Sequence, residues 1–94
     1  MYLEIVSPEA TIFSSEVDSV VVPGAMGEFQ MLNNHAPIVS LLKEGTIKIH
    51  THSDSKLVYD ELHGSLVPED KLLKLKINSG TLEMKDNKAI ILVE

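Results

Sequence analysis

Apolar and polar side chains alternate with a period of two residues along most of the chain, and this alternation limits the possible folds more than any other feature. Ile47 and Ile49 are separated by Lys48, and the same alternation recurs in residues 73–77 and 82–85. Successive side chains of a β-strand point to opposite faces of its sheet, so each segment has one apolar and one charged face. We therefore predict half-buried strands rather than amphipathic helices.

Turn-forming residues separate the alternating segments, as at Pro23-Gly24, Asn33-Asn34 and Asp86-Asn87. The strands are predicted at residues 2–7, 11–15, 17–22, 27–32, 38–42, 46–51, 56–62, 71–77, 80–85 and 88–93. Ten short strands joined by tight turns predict an all-β fold, a ten-stranded antiparallel β-sandwich. With 94 residues, the chain is long enough for a single core, and we predict one domain over residues 1–94.

The charged residues argue against several function classes. The chain has fourteen acidic residues, eight lysines and no arginine, and its net charge of −6 disfavours nucleic-acid binding. It has no cysteine, which excludes thiolate metal sites and cysteine nucleophiles. Its apolar runs are far shorter than the ~20 residues that cross a membrane as a helix, and no signal-peptide pattern opens the sequence. We therefore predict membrane association only indirectly, through a partner.

The acidic residues are unevenly spread along the chain. Residues 1–42 hold five acidic residues and no lysine, whereas the remainder holds nine acidic residues and all eight lysines. One interpretation is ordinary solvation of the surface. The other is an acidic docking face for a basic partner, which would speed association and select its orientation.

Motifs for catalysis or cofactor binding are missing from the sequence. His50 and His52 share one strand face and could meet His63, a set that suits zinc, but the surrounding Thr, Ser and Asp are typical of solvated surface. The sequence has no nucleophile elbow and no phosphate-loop fingerprint. We predict no metal site, no cofactor and no catalytic residue.

The most distinctive segment is residues 20–37, VVVPGAMGEFQMLNNHAP, in which Gly24 and Gly27 bound a short loop. Met26, Phe29 and Met31 are apolar groups that are costly to keep near a loop unless something covers them. The segment closely resembles the N-terminal domain of the ε subunit of bacterial F-type ATP synthase, whose members show V-x-V-P-G-x-x-G-E-[FL]-x-x-L-x-x-H-A-P. Further matches to this family lie in residues 3–9, 12–17, 44–49, 79–84, 87–88 and 92–94.

The resemblance implies a ten-stranded β-sandwich and a non-catalytic rotor subunit of the central stalk. Such a subunit binds the γ subunit and the c-ring and couples proton-driven rotation to ATP synthesis at the cytoplasmic face of the bacterial inner membrane. By the same resemblance, Gly27, Glu28 and Phe29 are expected to contact the c-ring. Ser7 and His35 are expected to contact γ.

The sequence departs from the family in two places. Family members usually continue into two C-terminal helices, whereas this sequence stops at Glu94, so we expect neither a helical domain nor its inhibitory and ATP-binding properties. Residues 50–77 are also longer than usual, and residues 62–70 look like an added hairpin. The competing hypothesis is a small ligand- or carbohydrate-binding β-sandwich, but 4% aromatic residues and no tryptophan disfavour sugar stacking.

Overall fold

The computed structural model describes residues 1–51, 66–69 and 72–94, and every regular element in these ranges is a β-strand. The strands are β1 (Tyr2–Val6), β2 (Thr11–Gly24), β3 (Gly27–Leu32), β4 (Ile38–Leu42), β5 (Gly45–Thr51), β6 (Val67–Glu69), β7 (Leu72–Ile77), β8 (Gly80–Lys85) and β9 (Lys88–Val93). Within the described ranges, no helix has the length and apolar character needed to cross a membrane. The predicted all-β sandwich class is confirmed.

Strand β2 connects the two halves of the sandwich. The strand order is β1-β9-β8-β4-β2-β5-β7-β6, with β3 paired to β2 and a further pairing between β1 and β2. The first half of β2 pairs with β1, its second half pairs with β3 and β5, and Gly24 at its end pairs with Leu42 of β4. One strand thus borders four others.

The structure corrects two details of the predicted strands. Residues 11–15 and 17–22, predicted as two strands, form the single strand β2, because a register irregularity between Val17 and Ser19 lets it bend without ending. The pair β1–β9 is parallel, unlike the predicted antiparallel arrangement. A parallel pair needs a long connection, and the chain between its first and last strands supplies one.

Strand β6 was not predicted, because Pro68 and the acidic residues after it resemble a turn. Proline is accepted in an edge strand, where its missing N–H breaks no ladder, and β6 lies at the end of the strand order. The described residues therefore contain nine strands. The predicted strand at 56–62 and most of the predicted extension at 62–70 lie outside the described residues.

The alternating apolar residues form one continuous core. Ile47 and Ile49 of β5 are fully buried, as are Leu3 and Ile5 of β1. Phe29 and Ile38 pack against this cluster at its margin. The buried core residues are Met1, Leu3, Ile5, Ile12, Phe13, Val17, Val20, Val22, Met31, Leu42, Ile47, Ile49, Leu66, Leu73, Leu75, Ile77, Leu82, Met84, Ala89, Ile91 and Val93. In most of the described strands, buried side chains alternate with exposed or half-buried ones, so these strands also have an outward face.

Candidate functional site

The hairpin between β2 and β3 presents the first group of predicted contact residues. Gly24 pairs with Gly27, so Ala25 and Met26 form a two-residue turn. A Cβ on Gly24 would lie 2.6 Å from Cε1 of Phe29, and Gly27 has a φ of +130° that other residues rarely adopt. Both glycines are therefore needed for this turn, which leaves the Met26 side chain fully exposed at its tip.

Directly after the turn, Glu28 and Phe29 differ in the direction of their side chains. Glu28 is exposed, and its Oε2 lies 3.7 Å from Nζ of Lys48 on β5. Phe29 is half-buried and packs against the core. Of the three predicted c-ring contacts, Glu28 thus offers a charged group to a partner, whereas the Phe29 ring holds the hairpin on the sandwich. The c-ring contacts themselves stay a prediction.

Ser7, a predicted γ contact, closes the turn that follows β1. Its N–H donates to the Ala10 carbonyl at 2.9 Å, and its Oγ lies 3.1 Å from the same oxygen. The Ala10 N–H in turn donates to Ser7 Oγ at 3.2 Å. These bonds fix a tight turn that ends β1 and holds Pro8 outward in solvent.

His35, the other predicted γ contact, lies between β3 and β4. Its N–H donates to the Leu32 carbonyl at 3.2 Å, and its Nδ1 lies 2.7 Å from the Ala36 carbonyl oxygen. The preceding residue, Asn34, has a φ of 62° and donates its N–H to Oδ1 of Asn87 at 2.7 Å. The β8–β9 turn therefore holds the His35 segment in place.

Between these two positions lies an exposed apolar surface on β4, β9 and β1. The pairing registers align Leu41 of β4 with Thr81, Leu92 of β9 and Val6 of β1 in one row. Val39 is 79% exposed, Leu41 67% and Leu92 53%. We call Val6, Val39, Leu41 and Leu92 the apolar face. Thr81 and Glu83 of β8 lie between the apolar side chains of β4 and β9, and exposed apolar groups clustered in this way are typical of interaction sites.

Ser7 and His35 lie at opposite ends of the apolar face. Ser7 lines the same groove as Leu41 and Leu92. His35 precedes Leu41 by six residues of mostly extended chain, a span of about 20 Å. The β2–β3 hairpin lies next to the end of the apolar face where Ser7 is found, because the Ala25 N–H donates to the Leu41 carbonyl at 2.9 Å. The structure therefore brings Ser7 close to the hairpin but places His35 apart from both.

Sequence reasoning missed the apolar face. In β4, the residues IVSLL place apolar side chains on both faces of the strand, so alternation does not show which face is buried. The sequence does contain a signal for this face, the apolar pair Val39 and Leu41. A strand that buries only its other face needs no apolar side chains at these two positions.

Of the three histidines considered for zinc, only His50 lies in the described residues, where no three His, Cys, Asp or Glu side chains are grouped to hold a metal. His50 is exposed near the end of β5. His52 and His63 lie outside the described residues.

Comparison with known proteins identifies the family. The family model for the ATP synthase delta/epsilon chain β-sandwich domain matches residues 1–64. The chain belongs to the ATP synthase epsilon-chain family. The ATP synthase epsilon chain of Desulforamulus reducens is 34% identical over 92 residues, covering 98% of this chain and 57% of that relative. The epsilon chain of Campylobacter concisus is 38% identical over 97 residues, covering all of this chain and 60% of its own length.

A shorter relative matches over most of its own length. The epsilon chain of Chlorobaculum tepidum is 34% identical over 92 residues, covering 98% of this chain and 86% of that protein. A solved chain from the central stalk and c-ring of the Tetrahymena thermophila mitochondrial ATP synthase has the same fold, with a TM-score of 0.72 at 15% identity. The match covers 99% of this chain and 62% of that one. This epsilon-family chain thus spans about three fifths of the longer relatives.

Proposed function

We propose that this chain is a non-catalytic subunit of the central stalk of an F-type ATP synthase. It binds the γ subunit through the apolar face and the c-ring through the Gly27-Glu28 end of the β2–β3 hairpin. In this position it couples proton-driven rotation of the ring to ATP synthesis by the complex. It is peripheral to the membrane, at the cytoplasmic face of the bacterial inner membrane.

The observation that supports γ binding most strongly is the apolar face. Three of its side chains are more than half exposed. Burying such a surface against another protein releases about 25 cal/mol for each Å² of apolar area. Ser7 and His35, the two positions that match γ contacts in the family, lie at its two ends.

The c-ring contact rests on Glu28 and its surroundings. The two glycines hold a hairpin whose tip projects from the sandwich, and Glu28 follows the tip as an exposed carboxylate. A charged group at the rim of an interface selects orientation and accelerates association more than it adds affinity. This suits a subunit that must keep one orientation on a rotating ring.

Purification of the tagged chain from native membranes tests the proposal. We expect γ and the c subunit to copurify in fixed ratio, and the γ contact to survive removal of the membrane sector. Copurification of neither subunit, together with binding to glycans on an array, would favour the carbohydrate-binding alternative instead.

A further inference from the structure

The four methionines of the chain fall into two groups by exposure. Met1, Met31 and Met84 belong to the buried core, and each is at most 3% exposed. Met26, at the tip of the β2–β3 hairpin, is fully exposed. An oxidant dissolved in water therefore reaches one thioether of the folded chain and is kept from the other three.

The backbone around the hairpin tip is fixed, whereas the Met26 side chain is not covered. The Ala25 N–H donates to the Leu41 carbonyl at 2.9 Å, and the Lys43 N–H donates to the Pro23 carbonyl at the same distance. Methionine has a flexible, unbranched side chain that adapts to irregular surfaces, and it is enriched at protein interfaces. The tip therefore presents an adaptable apolar group from a fixed position.

The domain buries the other apolar residues of this hairpin but leaves the one at its tip exposed. Met31 is fully buried, and Phe29 is half-buried against the core. Met26 is the remaining apolar residue that the sequence singled out in this segment as needing cover, and the chain itself does not supply it. An exposed apolar group on a fixed turn is available to a partner.

We propose that Met26 is a redox-sensitive contact of the hairpin: its thioether packs on the c-ring, and oxidation of the free subunit to the Met26 sulfoxide by hydrogen peroxide weakens this docking. The inference rests on the proposed function, in which the next two residues, Gly27 and Glu28, contact the ring. The Cα atoms of Met26 and Glu28 are at most about 7 Å apart, because only one residue separates them. A partner surface that reaches the Glu28 carboxylate thus comes within reach of the Met26 side chain as well.

The oxidation is balanced with hydrogen peroxide as the only co-reactant. The Met26 sulfur attacks one peroxide oxygen, so that an S–O bond forms while the O–O bond breaks. The second oxygen leaves as hydroxide, takes the proton from the first oxygen and becomes water. Sulfur has then lost two electrons to the peroxide, and the product is a sulfoxide that methionine sulfoxide reductases convert back to methionine.

The added oxygen changes what the hairpin tip offers to the ring. A thioether is apolar, whereas a sulfoxide is polar, and a polar group buried without a hydrogen-bond partner opposes binding. We expect the oxidised chain to bind the complex about tenfold more weakly, on the scale of one apolar side chain left unburied. The fold should not change, because the Met26 side chain is fully exposed.

Peptide mapping after brief treatment with hydrogen peroxide tests both the accessibility of Met26 and its contact. In the isolated folded chain, we expect a sulfoxide at Met26 while the three buried methionines stay unmodified. The chain unfolded in guanidinium is the control, because all four methionines should then react alike. In the intact ATP synthase, Met26 should react several times more slowly than in the free chain. Equal rates in the free chain and in the complex, or no selectivity in the folded chain, would overturn the inference.

Rebinding to ATP synthase depleted of this subunit measures the effect of the sulfoxide. The chain is oxidised alone and freed of peroxide before mixing. Oxidised wild type should rebind about tenfold more weakly than unoxidised wild type, and methionine sulfoxide reductases should restore its affinity. Met26→Leu is the matched control, because its apolar side chain cannot form a sulfoxide, so its own affinity should be the same before and after peroxide. An equal loss in this variant, or no loss in wild type, would overturn the inference.

Binding to isolated γ separates this inference from general damage to the chain and from failure of the proposed function. The oxidised chain should keep its melting temperature and its affinity for γ, since Met26 lies outside the apolar face. A parallel loss of γ binding would assign the effect to a damaged fold and would overturn the inference. If the unoxidised wild-type chain fails to rebind the depleted complex at all, the proposed function is wrong. If it rebinds and oxidation has no effect, only the role of Met26 is wrong.

Discussion

The carboxylate of Glu28 and the ammonium of Lys48 form an ion pair between β3 and β5, two strands that are separated by β2. Their atoms are 3.7 Å apart, and the side chains are 55% and 38% exposed. An ion pair with this much solvent exposure contributes about 1 kcal/mol or less to folding. Glu28 is therefore held over the sheet, but weakly enough to exchange Lys48 for a group on a partner.

Replacing Glu28 by lysine should impair coupling without unfolding the domain. Like charges across an interface can cost several kcal/mol, whereas surface substitutions usually change the free energy of unfolding by no more than about 0.5 kcal/mol. We expect proton-driven ATP synthesis in reconstituted vesicles to fall. The melting temperature of the isolated chain and its affinity for isolated γ should stay close to wild type. A variant with normal synthesis and normal ring affinity at both low and high salt would show that Glu28 is only solvated surface.

The charge-swapped variant, Glu28→Lys with Lys48→Glu, separates a contact with the ring from a purely internal ion pair. The swap restores an opposite-charge pair within the chain but leaves the charge at position 28 reversed. If Glu28 meets the ring directly, the double variant should be as defective in ATP synthesis as Glu28→Lys alone. Full recovery of synthesis would mean that the internal pair is all that matters.

Leu41→Glu should weaken γ binding, because it places a charge in the middle of the apolar face. An unpaired carboxylate forced into an apolar interface costs about 2 kcal/mol or more, which corresponds to about a thirtyfold loss of affinity in a titration with purified γ. Leu32→Glu is the matched control, since Leu32 is an exposed leucine of β3 outside the apolar face. Similar losses in both variants would argue against the apolar face as the γ contact.

Gly24→Ala should destabilise the β2–β3 hairpin. The new Cβ would lie 2.6 Å from Cε1 of Phe29 and 2.8 Å from the Gly27 carbonyl oxygen, so both the ring and the turn must shift. Overpacking of this kind costs about 1–3 kcal/mol, measurable by urea unfolding. Ala25→Ser, at the exposed neighbouring position, serves as the control. Wild-type stability of Gly24→Ala would show that the hairpin accommodates the methyl group freely.

Two substitutions in the turn between β8 and β9 should have different effects on the stability of the fold. Asp86 and Asn87 have φ values of 52° and 58°, and Asn87 Oδ1 also accepts the Asn34 N–H. Asn87→Ala keeps the unfavourable φ and loses the hydrogen bond, so we expect a loss of about 2 kcal/mol in stability by thermal unfolding. Asp86→Gly relieves the backbone and should leave stability unchanged or raised. The opposite order of stabilities would contradict this account.

The alternation of apolar and polar residues predicted the bounds of a strand well where burial of one face alone determines its residue pattern. β5, β8 and β9 lie within a residue of their predicted bounds, because Ile47, Ile49, Leu82, Met84 and Ile91 must all face the core. The continuity of β2 could not be predicted in this way. Its polar stretch around Glu16 and Asp18 suggests a break, whereas pairing with four neighbouring strands holds it extended.

The candidate site was predictable only in part, for a similar reason. Glycine at positions 24 and 27 shows from sequence that a tight turn presents Glu28. Its ion pair with Lys48 depends on a pairing through β2 that no local pattern encodes.

The attachment of β2 to four strands also determines how the domain responds to mechanical load. The hairpin that bears Glu28 continues directly into β2, so the component of a pull on the hairpin that is parallel to this strand loads β2 along its axis. Hydrogen bonds that flank a strand on both sides resist such a pull together, in shear, whereas a peripheral strand peels away one bond at a time. We therefore expect the sandwich to resist a pull along β2, the strand that leads to its exposed carboxylate, better than a pull on a peripheral strand. A torque delivered there spreads through β2 into both halves of the domain.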